Sequence, residues 1–229
     1  MNPSSSPVSG VLTVNKPKGK TSFSLVGAVR RITGVRKVGH AGTLDPLATG
    51  VMILLIGKQY TRLSDSFLHA DKEYVGKLHF GIRTDSYDSE GAVISESDIV
   101  PSSEEVHKVL SKFQGEILQT PPMFSAKKVG GKKLYQLARK GIEIERKANK
   151  VTVDVKLIEY AYPYLTVRVA CSKGTYIRSL AEDIGLDLGC GAHLCELTRT
   201  RSGSYLLENC IDGSVLFSPN PPPLPLSSL

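Results

Sequence analysis

Tryptophan is absent from this chain of 229 residues, methionine occurs three times, and the longest apolar run, Val51 to Ile56, ends after one and a half helical turns' worth of chain. A bilayer needs about 20 consecutive apolar residues, so no segment reads as a membrane span. The first ten residues carry neither a basic start nor an apolar stretch, which excludes a secretory signal and leaves residues 1–10 as an expected disordered lead. Cys171, Cys190, Cys195 and Cys210 are widely spaced and form no C-x-x-C pair, so neither a disulfide framework nor a zinc finger is expected. His193 stands near Cys190 and Cys195 in an apolar segment, which reads as packing. The expectations are reduced thiols, no metal, no cofactor and no membrane contact, for a cytoplasmic monomer.

Positive charge is in excess. Twenty-nine Lys and Arg face 22 Asp and Glu, a net charge of +7 with a pI near 9.2, which suggests a polyanionic partner. Its distribution is uneven. From Lys127 to Lys150 lie Lys127, Lys128, Lys132, Lys133, Arg139, Lys140, Arg146, Lys147 and Lys150, against Glu143 and Glu145 alone, with Phe124 and Tyr135 in or beside them. This reads as a surface for phosphates, the alternative being a solvated face. A second group, Arg30, Arg31, Arg36 and Lys37, leads into the segment Gly39 to Gly50.

That segment, Gly39-His40-Ala41-Gly42-Thr43-Leu44-Asp45-Pro46-Leu47-Ala48-Thr49-Gly50, sets one carboxylate in an otherwise uncharged loop. Its glycines permit backbone angles that side chains forbid, and Asp-Pro favours a turn just before an apolar strand. Asp45 therefore stands at the mouth of a strand, as a reactive carboxylate or as a turn cap.

Periodicity predicts a mixed α/β chain. Strands are expected at Val11 to Asn15, Val51 to Ile56, Glu73 to Phe80, Val151 to Tyr160, Leu165 to Ala170 and Leu194 to Arg199. Helices are expected from Thr21 or Ser22 to Gly34, in a short piece ending near Leu68, from the capping box Ser102-x-x-Glu105 to about Phe113, over Lys133 to Lys140, and from Thr175 to Gly185. After Phe217, five prolines mark an extended or disordered segment, residues 216–229. The main domain spans 11–215, with residues 121–150 as a basic insertion. Gly19-Lys20-Thr21 has the ending of a phosphate-binding P-loop, but Val14 stands where that motif needs glycine and Pro17 removes a backbone donor.

Four blocks in order carry a resemblance: Lys16-Pro-x-Gly19-x-Thr21-Ser22; Gly39-His40-x-Gly42-Thr43-Leu44-Asp45-Pro46-x-Ala48-x-Gly50; Asp71-Lys72-x-Tyr74; and Ser172-Lys173-Gly174-Thr175-Tyr176-Ile177-Arg178-Ser179-Leu180-Ala181. Together they resemble the pseudouridine synthases of the bacterial TruB type over roughly residues 10 to 205. The resemblance implies a pseudouridine synthase fold, a mixed, largely antiparallel sheet flanked by helices with a basic RNA-gripping insertion. It implies isomerisation of uridine to pseudouridine at position 55, in the T loop of tRNA, without metal or redox cofactor.

By the resemblance Asp45 is the carboxylate that acts on the ribose, as nucleophile or as base, and Arg178 is its cationic partner. From the residues alone Arg178 reads first as an exposed i,i+4 partner of Glu182. The uridine must be flipped out of its loop, and Tyr74 matches the family's stacking tyrosine, although its strand pattern also fits core packing. Tyr176 and Leu197 are implied as further pocket walls, His40 as the residue that enters the space left by the base, and Lys16 as a phosphate contact. The segment holding Lys127, Lys128, Lys132, Lys133, Arg139 and Lys140 matches an insertion that closes on the T arm.

Family members usually carry a further C-terminal RNA-binding domain of the PUA type, and 24 residues after Tyr205 are too few for one. A short form is expected, with recognition centred on the T arm. The alternatives are a guide-RNA-dependent synthase and a tRNA-folding chaperone.

Overall fold

In a computed structural model describing residues 8–228, the chain forms two compact units, one running through Tyr74 and resuming at Thr198, the other Val75–Leu197. The expected lead falls mostly outside the described residues, and Gly10 already opens the first strand.

The first unit holds β1 (Gly10–Lys16), α1 (Ser22–Thr33), β2 (Val38–His40), β3 (Thr49–Ile56), α2 (Lys58–Thr61) and α3 (Ser64–His69). Strand β4 (Lys72–Phe80) carries the chain into the second unit. There follow β5 (Ile82–Thr84), β6 (Val93–Glu96), α4 (Ser103–Leu110), β7 (Gln114–Gln119), β8 (Lys128–Val129), β9 (Lys132–Lys133) and α5 (Leu134–Ala138). Next come β10 (Asn149–Ala161), β11 (Tyr164–Cys171), α6 (Ile177–Asp187) and β12 (Ala192–Ser202). The last of these returns to the first unit, where β13 (Tyr205–Leu206) and β14 (Ile211–Asp212) follow.

In the first unit the strand order is β14-β1-β3-β12, with β2 also on β3. β1 and β3 are antiparallel from Gly10↔Ile56 to Lys16↔Gly50, while β12 runs parallel to β3 through Thr198↔Thr49. Strand β3 is buried on both faces, which is why its apolar residues run without alternation. Val11, Ala41, Val51, Ile53 and Leu55 form one cluster, covered by Tyr60, Phe67 and Tyr205. Helix α1 starts where Thr21 accepts from the Ser24 N–H and stops at Gly34, whose φ is +70°. Its buried Leu25, Val26 and Val29 each contribute about 1.5–3 kcal/mol of apolar transfer.

In the second unit β7, β10, β11 and β4 are successive neighbours, and β7 and β11 both run antiparallel to β10. The capping box of α4 is formed as expected: Ser102 N–H donates to Glu105 Oε2 at 2.7 Å and Glu105 N–H to Ser102 Oγ at 3.2 Å. The mixed α/β fold with mostly antiparallel strands agrees with the sequence pattern.

Some local expectations change. Thr175 does not cap α6; its hydroxyl turns back to the Ser172 carbonyl, and Tyr176 occupies the cap position without a side-chain bond. Gly185 does not end that helix, which runs to Asp187. A Cβ at Gly185 would lie 2.3 Å from the Ala192 nitrogen, so close packing is the reason for glycine there. The proline-rich segment is extended but anchored: Val11 N–H donates to the Ser227 carbonyl at 2.9 Å, and Ser227 N–H to the Val11 carbonyl at 3.0 Å.

Candidate active site

Asp45 lies half-buried on the connection between β2 and β3, and the first unit clamps that connection at four places. The hydroxyl of Ser22, first residue of α1, donates to the Leu44 carbonyl at 3.0 Å and accepts from the Leu44 N–H at 2.9 Å. Lys16 is fully buried, and its ammonium donates to the carbonyls of Pro17 at 2.9 Å, Lys20 at 2.6 Å and Pro46 at 3.3 Å. Gly19 N–H donates to the Pro46 carbonyl at 2.8 Å. Beyond Asp45, Ala48 N–H closes a turn onto the Asp45 carbonyl, and Asn15 accepts from Gly50 N–H. The stretch with a P-loop's ending is thus a brace for this loop. Lys16, expected at a phosphate, holds the loop from beneath.

Glycine at 50 is a steric requirement. Its φ is +105°, and a Cβ would lie 2.2 Å from the Arg199 carbonyl oxygen. Arg199, also buried, donates from Nε to the Val51 carbonyl at 2.7 Å and from Nη2 to the Gly42 carbonyl at 3.4 Å. Its guanidinium thereby ties the start of β3 to the loop at Gly42. His40 ends β2; burial and then the Arg199 charge lower its pKa, against a Gly42 backbone hydrogen bond that raises it. Its imidazole is therefore neutral at pH 7.

Tyr74 points from β4 into a nearly buried position, 9% exposed. Two residues earlier, the Lys72 ammonium caps the end of α3 by donating to the carbonyls of Leu68 at 2.7 Å, Phe67 at 3.4 Å and Ala70. A cation there complements the carbonyl end of a helix.

In the second unit, Arg178 is buried on α6 and held in a fixed direction. Its Nη1 donates to the Ser86 carbonyl at 3.0 Å, Nη2 donates to the Phe124 carbonyl at 2.8 Å, and Nη1 lies 3.5 Å from Asp88 Oδ2. Asp88 is itself held by Ser86 Oγ at 2.6 Å and by Glu90 N–H at 3.0 Å. Tyr87 between them takes φ +63°, a left-handed angle that costs a non-glycine residue of order 1 kcal/mol. Glu182 is buried too, and its Oε1 accepts from Nε and Nη2 of Arg83, so neither Arg178 nor Glu182 forms a solvated surface pair. Tyr176 is held at the start of α6 by Gln119, which accepts its N–H at 2.7 Å and donates to its carbonyl at 3.0 Å. Leu197 is buried on β12.

The basic segment is a small folded element. β8 and β9 pair as a hairpin with Gly130 and Gly131 at its tip, and α5 anchors it through fully buried Leu134. Lys132, Arg139 and Lys140 are exposed, Lys127 donates to Asn149 Oδ1, and Lys133 and Arg139 lie 5.6 and 5.4 Å from the Tyr135 ring centroid. The Lys128 side chain falls outside the described part. His193 Nδ1 donates to the Ile82 carbonyl at 2.9 Å, and Cys195 donates to the Lys77 carbonyl. Among the described residues no group of three or more His, Cys, Asp and Glu is placed to hold a metal ion, and no helix is long and apolar enough to cross a membrane.

Ser22, Asn15, Arg199 and Asp88 are the supporting residues that sequence reading did not single out. Ser22 stood in a quoted block but was read as a cap. Arg199 had no local signal at all.

A half-buried carboxylate in a braced, glycine-bounded loop and a mixed, mostly antiparallel sheet fit an enzyme of the pseudouridine synthase class. The chain belongs to the TruB family: residues 30–177 match the model of the TruB family pseudouridylate synthase N-terminal domain, and residues 178–214 match the tRNA pseudouridylate synthase B C-terminal domain. A protein of Protochlamydia amoebophila called tRNA pseudouridine synthase B is 60% identical over 205 residues, 90% of this chain and 78% of that one. The protein of that name from Chlamydia trachomatis serovar L2 is 57% identical over 212 residues, 93% of this chain and 88% of that one. Among solved structures, a Cbf5-Nop10-Gar1 complex matches with TM-score 0.67 and 33% identity over 86% of this chain, which spans half the length of the matched chain.

Proposed function

We propose that this protein isomerises uridine at position 55 in the T loop of tRNA to pseudouridine, without guide RNA. The observation that carries the reading is Asp45 in a loop clamped by Ser22, Lys16 and Arg199, in a chain 57–60% identical to proteins called tRNA pseudouridine synthase B. The reaction breaks the bond from C1′ of the ribose to N1 of uracil, turns the base and joins C1′ to C5; the proton at C5 leaves and N1 takes one up. No electron is gained or lost overall.

Asp45 supplies the carboxylate that acts at the ribose, and the clamps hold it in one orientation, so that little motion must be frozen out as the reaction begins. Tyr74 stacks on the flipped base, an interaction worth about 1–3 kcal/mol. His40, neutral at pH 7, offers a flat uncharged ring to the bases left behind. Arg178, Tyr176 and Leu197 keep the roles that the resemblance implies, and the fixed direction of the Arg178 guanidinium suits a group that must present one nitrogen to an anion. Lys16 acts as a positioning residue for the Asp45 loop. Lys127, Lys132, Lys133, Arg139 and Lys140 supply phosphate contacts, while the folded T arm supplies selectivity by shape.

The test is pseudouridine formation on an unmodified tRNA transcript, without cofactor or guide, comparing wild type with Asp45→Asn. Product at position 55 from wild type alone supports the reading. Binding of the transcript by both proteins with product from neither overturns it in favour of a guide-dependent enzyme or a folding chaperone.

A further inference from the structure

The second unit carries a face on which the chemistry of the rest of the chain is reversed. From Thr84 to Val106 the sequence has no lysine and no arginine, in a protein whose net charge is +7. Asp85, Glu90, Glu96, Asp98 and Glu104 in that stretch are all exposed. Among them stand four large aliphatic side chains turned to solvent: Val93 is 55% exposed, Ile94 54%, Ile99 52% and Val100 60%. Single exposed aliphatic residues need no explanation, whereas four within eight positions are an unusual density for a surface segment.

The backbone is exposed as well. β6 is exposed at all four positions and, among the described residues, pairs only with β5, so its outer edge leaves peptide groups unpaired by any strand. This edge is not a loose loop. Asp85 and Ala92 are joined by two hydrogen bonds at 3.0 and 2.9 Å, and Ser97 N–H donates to the Gly81 carbonyl at 2.8 Å, which fixes both ends of the hairpin. β6 is short, ends in Glu96 and pairs across a register shift between Arg83 and Thr84, but it carries neither the lysine nor the proline that most strongly blocks strand addition.

Carboxylates at this density repel phosphates, so the face is unsuited to RNA. They would also repel the same face of a second copy. What fits is a chain of opposite charge that can complete the strand edge. We propose that β6, with Ile99 and Val100, is a docking strip for an extended polypeptide segment of a partner protein, rich in lysine or arginine with apolar residues between them. The segment adds as a strand to the free edge of β6. Side chains of the added strand alternate as those of β6 do, so its apolar residues cover Val93 on one face while its cations meet Glu96 on the other, their aliphatic stems lying over Ile94. This surface is independent of the reading given for Asp45.

The probe is a fluorescein-labelled peptide of alternating lysine and valine, titrated by the full-length chain and followed by anisotropy, with amide chemical shifts mapping where it binds. Ile94→Lys and the double variant Glu96→Lys/Asp98→Lys alter exposed positions only, and thermal melting checks that both fold. The expected result is binding with shifts confined to residues 92–101, at least about tenfold weaker in either variant and lost when alternate peptide nitrogens are methylated. No binding, equal binding by a glutamate and valine peptide, shifts elsewhere, or indifference to the variants would overturn it. Concentration-dependent self-association of the wild type that Ile94→Lys abolishes would also overturn it, because the occupant would then be a second copy.

Discussion

Ser22 Oγ and the backbone of Leu44 exchange two hydrogen bonds, donating at 3.0 Å and accepting at 2.9 Å, so the residue before Asp45 is held from both its N–H and its C=O by one side chain. Both partners are buried. Ser22→Ala leaves that N–H and that C=O without the hydroxyl, at an expected cost of about 1–3 kcal/mol in stability. The larger effect falls on kcat, since Asp45 loses its fixed orientation, while KM for tRNA changes little. Urea denaturation and steady-state kinetics measure the two, and an unchanged kcat in a destabilised protein would refute the positioning role.

Gly50 faces a steric limit from backbone, which cannot move aside as a flexible side chain would. A methyl group 2.2 Å from the Arg199 carbonyl must separate β12 from β3 at the mouth of the Asp45 loop. Gly50→Ala is expected to destabilise by more than about 4 kcal/mol or to prevent folding, measured by thermal melting. Gly27→Ala on α1, where a Cβ would meet nothing within 4 Å, serves as the control and should stabilise slightly.

Asp183 on α6 makes stability depend on pH in a defined direction. Burial first, then the charges of Glu182 and Asp187, push its pKa from 3.8 up to about 6. The folded state therefore holds a proton that the unfolded state releases, so this group's contribution is fully present below pH 3.8 and is lost as pH rises through about 6. Asp183→Asn should stabilise the protein at pH 8 by about 1–2 kcal/mol after allowance for solvent screening. At pH 3.5 it should change little. Histidines 40 and 79 act oppositely: burial, then Arg199 for His40 and His193 for His79, lower both pKa values, so their neutral folded forms lose stability as pH falls below about 6.5.

Charge reversal on the basic hairpin should act on binding and not on chemistry. Lys132→Glu and Arg139→Glu are each expected to weaken tRNA binding, and each lost phosphate contact should reduce the slope of log affinity against log salt by roughly 0.7–0.9, the values for single strands and for duplex DNA. At saturating tRNA, kcat should stay within about twofold. A salt series of binding isotherms checks the slope.

Removing residues 218–229 opens the edge of β1 at Val11, whose N–H and C=O are paired with Ser227. The expected loss is about 1–2 kcal/mol of stability with tRNA affinity unchanged. A large fall in affinity would place RNA recognition in that segment.

The legible elements were those with a local cause. Thr21 and Gly34 bound α1 because capping and left-handed geometry involve only neighbouring residues, and the Ser102 to Glu105 capping box formed for the same reason. The burial alternation of β4 and of β10 was visible in their side chains. Thr175 and Gly185 misled because each matched one local rule that another nearby contact overrode, the Ser172 carbonyl three residues back for one and the close approach of Ala192 for the other. The β5–β6 and β8–β9 hairpins carried no sequence signal strong enough to find, being strands of two to four residues.

The order of residues was enough to establish where the carboxylate stands, which glycines surround it, where positive charge gathers and which family the motifs belong to. Those properties lie in short contiguous stretches. Tertiary structure decided how Asp45 is held: Lys16 beneath its loop, Ser22 beside it, and Arg199 reaching Gly42 and Val51 from a strand far along the chain. It also turned Arg178 inward onto Ser86, Phe124 and Asp88, where the helix pattern alone allowed a surface pair with Glu182. A buried cation must find its acceptors wherever the folded chain brings carbonyls and carboxylates together, and no local pattern of residues encodes that meeting.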